Sequence, residues 1–263
     1  MDAWYIKYVE ACKSAVKNES LFKTFKQNRD YQYVLEHLNE TNGVQYANEI
    51  ARLSIEHKVQ LNWTRILRND TLGRPTKFLY QITGYGKMKI SPTTLRYVCL
   101  GMKALAHMKN KHMRFVNLIE VGGGYGGQCY MFHCLAEAYQ IEILNYTIFD
   151  LPEVLTLQQK YLSRLFCRGN ELHHIHFLNP WQKHMTWHDS AFLFSSYALA
   201  ELSPKNRALY YSLLRGHVQH GYVIWNSSDS PEDNFYHMAN GKTHVEWQEE
   251  KPKTFHWNKV LVF

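Results

Sequence analysis

Five glycines within six residues, directly after a short apolar run, constrain the fold of this chain more than any other feature. Residues 115–128 read FVNLIEVGGGYGGQ. A short apolar segment that ends abruptly at glycine is typical of a buried strand that enters a tight turn. The residues after the turn carry apolar side chains at helical spacing, among them Met131 and Leu135. The sequence therefore predicts a strand, a glycine turn and a helix, whose first amides can face an anion.

Gly122, Gly124 and Gly127 also satisfy the pattern G-x-G-x-x-G, which dinucleotide oxidoreductases share with methyltransferases. Glu120 separates the two classes. A carboxylate at the end of a buried strand is costly unless a cation pairs with it. A pyrophosphate would be repelled there, whereas S-adenosylmethionine carries an ammonium and a sulfonium. E-x-G-x-G resembles the first motif of class I methyltransferases that use S-adenosylmethionine. The alternative is a structural glycine turn with Glu120 in solvent.

Composition excludes several classes of protein. The chain has 263 residues, enough for one α/β domain with an extension, and 45% of them are hydrophobic. Its formal charge is +7, but the lysines are scattered, so we predict no nucleic-acid partner. No apolar run reaches membrane-spanning length and no secretory segment opens the chain, so we expect no membrane partner. The five cysteines form no C-x-x-C pair and are expected to be reduced thiols, which favours the cytoplasm.

The N-terminal third is predicted to be mainly helical. Apolar residues recur at spacings of three and four over residues 1–62, with a break at residues 41–43 and a further helix over 44–59. Residues 68–90 are rich in turn-forming residues and are predicted to be a loop or linker. We therefore predict a helical extension and linker over residues 1–90, which covers an edge, forms a homodimer contact or supplies half of a substrate cleft. Residues 91–263 are predicted to hold the cofactor.

Four further strands are predicted after the glycine turn, at residues 143–149, 175–178, 191–196 and 221–225. Helices lie between them, one of them over residues 205–219 after the pair Ser203-Pro204. Segments 244–248 and 260–263 can pair as a closing hairpin. This alternation predicts an α/β fold, with a Rossmann-like, mostly parallel sheet of seven strands and helices on both faces.

Polar residues stand where these strands end, and the carboxyl ends of parallel strands meet at one edge of the sheet. Asp150 follows the second strand, where a carboxylate can accept hydrogen bonds from both ribose hydroxyls of an adenosine. Asn179 follows the third strand, where a polar group that contacts adenine is expected. Ser195 and Asn226 lie at the ends of the fourth and fifth strands. We therefore predict that these segments converge on one ligand site.

Four segments together resemble the family of sugar O-methyltransferases. They read KISPTTLRY, IEVGGGYGGQ, YTIFDLPEVLTLQQKYL and SSYALAELS, and the resemblance covers residues 20–263. The chain is also similar to the C-terminal methyltransferase domains of chlorovirus multi-domain proteins that build capsid glycans. The resemblance implies a class I methyltransferase fold, S-adenosyl-L-methionine as the methyl donor, and a sugar or glycan hydroxyl as the acceptor, for example on rhamnose. It also implies a position in a longer chain and in the host cytoplasm.

The resemblance assigns roles to individual residues. It implies that Glu120, Gly122, Gly124 and Gln128 hold the methionyl part of the cofactor, with Asp150 at the ribose and Asn179 at the adenine. The predicted cofactor-binding set is completed by neighbours of these positions and by the end of the fourth strand: Gly123, Tyr125, Leu151, Ser195 and Ser196. The chain departs from the family pattern at one place, because Ser196-Tyr197 stands where Asn-Tyr is expected.

Methyl transfer from a sulfonium is an in-line displacement, so the protein mainly aligns donor and acceptor. A sugar hydroxyl is a weak nucleophile and needs a base or a metal to take its proton. The candidate catalytic residues are Glu201, Tyr197, Asp229 and His237. Glu201 is preferred because Tyr197 and Glu201 share a face if this segment is helical, but Glu201 can equally be a charge at a helix N-terminus. The candidate substrate-binding residues are Tyr85, Thr94, Arg96 and Asn226.

Histidines invite a metal site, but no complete ligand set is visible. His173, His174 and His176 flank the third strand, and His184 and His188 have the spacing of paired ligands on a helix. No third ligand accompanies that pair, so we predict no metal. Three other functions remain open: a methyltransferase of a small phenol or a nucleic acid, a nucleotide-dependent oxidoreductase or epimerase, and a non-enzymatic interaction module.

Overall fold

The computed structural model describes residues 3–166, 172–181, 190–227, 231, 235 and 245–263. The helices are α1 (Ala3–Lys17), α2 (Glu19–Phe22), α3 (Arg29–Val34), α4 (Glu40–His57), α5 (Trp63–Ile66), α6 (Pro92–Asn110), α7 (Gly127–Leu135), α8 (Pro152–Leu165), α9 (Ala198–Glu201) and α10 (Pro204–Leu214). The strands are β1 (Phe78–Ile82), β2 (Gly86–Ile90), β3 (Phe115–Val121), β4 (Glu142–Phe149), β5 (Ile175–Leu178), β6 (Ala191–Ser196), β7 (Val218–Trp225), β8 (Glu246–Glu249) and β9 (Lys259–Val262).

Seven of these strands form one sheet in the order β5-β4-β3-β6-β7-β9-β8. β3 pairs in parallel with β4 and with β6, and only the pairs that involve β9 are antiparallel. The chain leaves β3 toward one edge of the sheet and later returns to its other side at β6. A crevice for a ligand forms at such a reversal of strand order, at the carboxyl ends of the strands. This topology confirms the predicted α/β fold, the closing hairpin and the Rossmann-like class I methyltransferase fold.

Local sequence explains where the long helices begin. The Oγ atom of Ser91 accepts a hydrogen bond from the backbone N–H of Thr94, and Pro92 occupies the first turn of α6. Ser203 and Pro204 start α10 in the same way. The prediction that this helix reaches residue 219 is wrong, because α10 ends at Leu214, Gly216 adopts a φ of 84°, and the chain enters β7 at Val218.

The predicted break at residues 41–43 is also wrong, because these residues lie inside α4. The side chain of Asn39 accepts from the backbone of Asn42, whose own side chain accepts from the backbone of Asn39, so a turn-forming sequence starts the helix. Gly43 is required by packing, since a Cβ atom there would lie 2.1 Å from the hydroxyl oxygen of Tyr80. Tyr80 belongs to a hairpin, β1 with β2, in the segment that we predicted to be a linker.

The N-terminal helices share a hydrophobic core with the sheet. Residues of α1, α4 and α6 belong to the same buried cluster as residues of β3, β4 and α8. Lys26 joins the two regions, because it is fully buried and its Nζ atom donates to the carbonyl of Asn69 at 3.1 Å and to the hydroxyl of Tyr161 at 2.9 Å. The same nitrogen lies 4.0 Å from the ring centroid of Tyr125, in the glycine turn. Burial lowers the pKa of Lys26 to about 8.

No helix in the described part of the chain is long and apolar enough to span a lipid bilayer. Four of the five cysteines fall within that part, at positions 12, 99, 129 and 134, and all four are buried free thiols. The fifth, Cys167, lies outside the described residues. The described thiols therefore pack in the interior of the protein and form no disulfide bonds with one another.

Candidate functional site

A cavity of about 480 Å³ opens at the carboxyl ends of β3, β4, β6 and β7. This volume is in the range of cavities that hold small ligands and cofactors. The sheet forms its floor, and α1 with the segments 33–37 and 254–258 forms its walls. It is lined by Trp4, Tyr5, Tyr8, Tyr33, Val34, Leu35, His37, Arg96, Tyr97, Glu120, Gly122, Gly123, Gly124, Gln128, Asp150, Ser196, Tyr197, Ala198, Glu201, Asn226, Thr254, Phe255 and Asn258.

The glycine turn contributes Gly122, Gly123 and Gly124 to the lining of this cavity and depends on glycine for its shape. Gly122 and Gly124 have φ values of 80° and 56°, which disfavour residues with a Cβ atom. A Cβ atom at Gly122 would lie 2.1 Å from the Cβ of Ala198, and one at Gly124 would lie 2.9 Å from a methyl group of Leu35. The turn therefore lets the chain after β6 and the N-terminal segment approach the backbone closely.

Glu120, the last residue but one of β3, is 2% exposed and lines the cavity. Its Oε2 atom accepts a hydrogen bond from the hydroxyl of Tyr146 at 2.8 Å. Burial raises the pKa of Glu120 to about 8, although the hydrogen bond from Tyr146 opposes this shift. Among the described residues, no Lys, Arg or His forms an ion pair with it. As predicted, a carboxylate is buried at the end of this strand. Because it lines the cavity, a cation bound in the cavity can reach it.

Asp150 lies on the other side of the glycine turn, directly after β4. Its Oδ1 atom accepts from the backbone N–H of Leu151 at 2.8 Å, and its Oδ2 atom accepts from Nε2 of Gln158 at 2.9 Å. Burial raises the pKa of Asp150 to about 7, against these hydrogen bonds. Since β3 and β4 are adjacent and in parallel register, Glu120 and Asp150 reach the cavity from neighbouring strands.

Two polar atoms at the cavity wall lack a hydrogen-bond partner. Nε of Arg96 and Oε1 of Gln128 are both buried and unpaired. Gln128 donates from Nε2 to the carbonyl of Tyr97 at 3.2 Å, which fixes the orientation of its amide. These two residues come from facing helices, α6 and α7, and both line the cavity. Unpaired buried polar groups are rare and often await a ligand.

Four residues predicted to bind the cofactor do not line the cavity. Ser195 Oγ donates to the carbonyl of Val121 at 3.0 Å, because successive strand residues point to opposite faces and only Ser196 faces the cavity. Tyr125 is buried against Lys26 and aromatic rings. The side chain of Asn179 accepts from the backbone of Trp181 at 2.9 Å. Leu151 contributes its backbone N–H to Asp150.

Two residues predicted to bind substrate lie outside the cavity and form hydrogen bonds within the protein instead. Thr94 Oγ1 donates to Asp70 at 2.6 Å and accepts from Asn69 at 2.7 Å, within the buried network at the start of α6. The hydroxyl of Tyr85 donates to Ser54 at 3.1 Å under the hairpin β1–β2. Neither lines the cavity, because both side chains point into the core, whereas Arg96 and Asn226 do line it.

The proposed catalytic residues Tyr197 and Glu201 both line the cavity, at the two ends of the short helix α9. Tyr197 has an unusual φ of 72° and its hydroxyl donates a short hydrogen bond to Oε1 of Glu250. A strained backbone at a strand end is often found at functional sites. Glu201 is exposed and its Oε1 accepts from Nδ2 of Asn226 at 2.7 Å. The other two candidates, Asp229 and His237, lie outside the described residues.

Sequence reasoning missed Glu250, which is 2% exposed. Its Oε2 atom accepts from the backbone N–H of Thr254 at 3.1 Å and from Nδ2 of Asn258 at 2.7 Å. The same segment brings Thr254, Phe255 and Asn258 to the cavity. This loop shows no periodicity or motif, so no signal in the sequence could have pointed to it. The aromatic residues of α1 that line the cavity, by contrast, belong to the residues whose spacing predicted a helix, but that spacing did not indicate a ligand site.

No set of three His, Cys, Asp or Glu side chains in the described part of the chain is arranged to hold a metal ion. His176 Nε2 lies 3.3 Å from Oδ1 of Asn145 on the neighbouring strand. His184 and His188 lie outside the described residues. The absence of a metal site therefore stays a prediction for the whole chain.

Comparisons with known proteins find structural similarity at low sequence identity. No protein-family model matches the chain, and no curated protein sequence matches it. The methyltransferase domain of bacterial CtHen1 aligns with 64% of this chain and 98% of its own length, at 13% identity and a TM-score of 0.46. The magnesium protoporphyrin IX methyltransferase ChlM from Synechocystis PCC 6803, crystallised with bound SAM, aligns with 64% of this chain and 78% of its own, at 9% identity and a TM-score of 0.43.

A chain of the Pnkp1/Rnl/Hen1 RNA repair complex aligns with 60% of this chain, at 12% identity and a TM-score of 0.40. This chain spans only 39% of the length of that one. At such identities the similarities concern the fold alone. The function is therefore inferred from the residues of the cavity.

Proposed function

We propose that this protein is an S-adenosylmethionine-dependent O-methyltransferase whose acceptor is a hydroxyl group of a sugar, such as a terminal rhamnose of a glycan. One observation carries the proposal: two buried carboxylates, Glu120 and Asp150, flank a glycine turn and line the same cavity. The raised pKa values of both residues indicate that neither has a compensating cation among its described neighbours. A ligand that brings a cation and ribose hydroxyls satisfies both.

The residues present fit this cofactor. Glu120 would accept the methionyl ammonium, and Asp150 would accept hydrogen bonds from the two ribose hydroxyls. The glycine turn allows the ligand to contact backbone without a Cβ atom in the way. When bound, the cofactor supplies a methyl group that is already activated by the sulfonium charge. The protein then has to exclude water, align the acceptor and take its proton.

Two carboxylates are candidates for the proton. Glu201 could accept it directly, with Asn226 holding the carboxylate in place at 2.7 Å. Glu250 could accept it through Tyr197, because the Tyr197 hydroxyl donates to Glu250 and leaves its oxygen lone pair for an acceptor hydroxyl. We retain Glu201 as the proposed base and treat Tyr197 as the residue that orients the acceptor hydroxyl.

The sugar acceptor is supported by aromatic rings around the cavity. Tyr33 and Phe255 are 70% and 53% exposed, and both line it together with Trp4. The ring of Trp257 stacks on Phe255 with a centroid distance of 5.5 Å and an interplanar angle of 5°. Large exposed rings beside a cavity suit ligands with flat apolar faces and polar edges, as sugar rings have. Thr254 and Asn258 supply polar groups next to them.

Calorimetric titration with S-adenosylmethionine, S-adenosylhomocysteine and NAD tests the proposal. We expect both adenosyl ligands to bind, and Glu120→Ala and Asp150→Ala each to weaken binding about a hundredfold, since each removes a buried charged contact. Glu142→Ala is the matched control, because Glu142 is an exposed carboxylate at the opposite end of β4. Binding of NAD instead, or equal losses in the control, would refute the cofactor assignment. If the adenosyl ligands bind, methyl acceptors would be screened next, starting with rhamnose-terminated oligosaccharides.

A further inference from the structure

The positive charge of the protein is concentrated in one stretch of the chain. Between Asp70 and Glu120 the sequence has nine Lys or Arg residues and no Asp or Glu. Nine positive charges exceed the formal +7 of the whole chain, so the remaining residues together are slightly negative. Arg96 is buried beside the cavity, and Lys103 forms an ion pair with Glu49 at 2.8 Å. The other seven cations are exposed: Arg74, Lys77, Lys87, Lys89, Lys109, Lys111 and Arg114.

The hairpin β1–β2 places three of these lysines on one surface. Successive strand residues point to opposite faces, so each strand of the hairpin divides its side chains between two sides. The inner side packs on α4 and carries the buried residues Tyr80, Ile82 and Ile90. The outer side, which we call the hairpin face, is exposed and consists of Leu79, Gln81, Lys87 and Lys89, with Lys77 directly before β1.

No described carboxylate neutralises the hairpin face. Within the described part of the chain, Lys77, Lys87 and Lys89 form no ion pair. The carboxylates of α4 are directed elsewhere, since Glu49 and Glu56 both pair with Arg52. The two lysines of β2 are two residues apart and therefore lie about 7 Å from each other along the strand. Like charges at this spacing repel, and an anionic surface placed over them would relieve that repulsion.

The hairpin face also has an apolar centre. Leu79 is 62% exposed and lies directly opposite Lys89 in the register of the hairpin. An exposed leucine among lysines fits the interface of an anionic bilayer, where ammonium groups contact the lipid headgroups and the leucine enters the boundary of the acyl chains. Residues 77–90 are all described, and the rings of Phe78 and Tyr80 lie on the inner side. Nucleobases would therefore find no stacking surface here.

We propose that the hairpin face is a docking surface for a bilayer that contains anionic phospholipids. Lys77, Lys87 and Lys89 contact the headgroups, and Leu79 inserts between them. This docking goes beyond the proposed function and does not depend on it. The absence of a long apolar run led us to expect no membrane partner, but a peripheral surface of this kind needs no such run.

Sedimentation with lipid vesicles tests the charge of the hairpin face. The vesicles contain phosphatidylcholine with about one-third phosphatidylserine, and pure phosphatidylcholine vesicles serve as the uncharged reference. We expect the protein to sediment only with the anionic vesicles. The triple variant Lys77→Gln, Lys87→Gln, Lys89→Gln should bind about a hundredfold more weakly, because each lysine at an anionic bilayer contributes about a factor of five.

A second triple variant removes the same net charge elsewhere. Lys17, Lys23 and Lys205 are exposed lysines outside the hairpin, and their replacement by Gln should weaken vesicle binding less than about threefold. Thermal melting followed by circular dichroism shows that each variant is folded.

Leu79→Ser distinguishes a bilayer from a soluble polyanion. Loss of the inserted side chain should weaken binding to anionic vesicles about fivefold. It should not change binding to a single-stranded oligonucleotide or to polyglutamate, which offer negative charge without an apolar phase. Leu21→Ser is the matched control, because Leu21 is 47% exposed on α2, and it should change neither.

Each opposite result would overturn the proposal. If the protein does not sediment with anionic vesicles, or if the two triple variants lose binding equally, the hairpin face is not a docking surface. If Leu79→Ser has no effect, or if the oligonucleotide or polyglutamate binds more tightly than the vesicles, the partner is a soluble polyanion and the bilayer is the wrong partner. All of these measurements are made without cofactor, so none of the results bears on the proposed methyl transfer.

Discussion

The part of the cavity that we propose to bind the cofactor (the cofactor side) and the part that we propose to bind the acceptor (the acceptor side) are built in opposite ways. The cofactor side comes mainly from residues 120–150, a continuous piece of strand, turn, helix and strand, and its polar groups are buried. The acceptor side is assembled from both ends of the chain, with aromatic residues of the segments 4–33 and 255–257. The buried carboxylate of Glu250 holds the second segment through its hydrogen bond from Asn258. The rings of Tyr33, Phe255 and Trp257 are exposed, whereas that of Tyr8 is buried.

This difference shows what positions the side chains on each side of the cavity. Glu120 and Asp150 are positioned by the register of adjacent strands, which local hydrogen bonds enforce. Tyr33 and Phe255 are positioned only by the packing of distant segments. We therefore expect the two sides to be separable by mutation, and the following predictions test this from the largest effect to the smallest.

Gly122→Ala should break the cofactor side. The new Cβ atom would lie 2.1 Å from that of Ala198 and would occur at a φ of 80°, so we expect a loss of about 2–4 kcal/mol in the free energy of unfolding. Gly84→Ala is the control: it has a similar φ of 85°, but no atom lies within 4 Å of the new Cβ, so it should cost only about 1 kcal/mol. Urea denaturation measures both, and equal losses would show that the close approach to Ala198 is unimportant.

Glu250→Gln should loosen the acceptor side alone. The carboxylate accepts hydrogen bonds from Tyr197, Thr254 and Asn258. In glutamine an amide nitrogen replaces one of its oxygens, and because that nitrogen cannot accept, at least one of these hydrogen bonds is lost. We expect a loss of about 1–3 kcal/mol in the free energy of unfolding and faster hydrogen exchange over residues 250–258. Glu249→Gln, an exposed neighbour, is the control. A tenfold loss of S-adenosylhomocysteine affinity would contradict the independence of the two sides.

The cofactor side should also respond to pH. The pKa of Glu120 is raised to about 8, so below that pH its carboxyl group is mostly protonated in the free protein. A ligand ammonium favours the ionised form, so binding releases a proton and affinity rises as the pH increases. We expect about a tenfold gain in S-adenosylhomocysteine affinity between about pH 6.5 and 8.5. Glu120→Gln should reduce this dependence to the smaller part that comes from Asp150, whose pKa is about 7, and calorimetry in buffers of different ionisation enthalpy would detect the proton. A flat wild-type profile would contradict the role of Glu120.

The smallest effect is expected at the exposed rings. Phe255→Ala and Tyr33→Ala should each weaken binding of a rhamnose-terminated oligosaccharide about three- to tenfold, because each removes one stacking surface. The affinity for S-adenosylhomocysteine should not change. Phe115→Ala is the control, since Phe115 is also exposed but lies at the far end of β3. If all three variants behave alike, the rings do not form the acceptor surface.

Sequence patterns predicted the fold well because the sheet is built from local signals. The apolar run before the glycines and the Ser-Pro pairs before α6 and α10 place the elements nearly where they occur. The errors arose where turn-forming residues serve another purpose. Residues 41–43 look like a turn but lie in the first turn of α4, which the reciprocal hydrogen bonds of Asn39 and Asn42 begin, and residues 78–90 look like a linker but form the hairpin β1–β2.

Within the site, the sequence identified strand ends but not side-chain directions. Ser195 and Ser196 are neighbours, yet one bonds the backbone of β3 and the other faces the cavity. Asn179 ends a strand as predicted, but its side chain bonds to the following backbone instead. Glu250 could not have been found, because its importance comes from a fold that brings residue 197 beside residue 250.

The buried amine of Lys26 has a practical consequence for chemical labelling. It is enclosed by Tyr125 and Tyr161, so an acylating reagent can reach it only when the N-terminal segment separates from the glycine turn. With a pKa near 8, the amine is reactive at mildly basic pH once it is uncovered. The rate at which Lys26 is modified, followed by mass spectrometry, therefore reports how often the N-terminal segment separates from the glycine turn. Exposed lysines react at once.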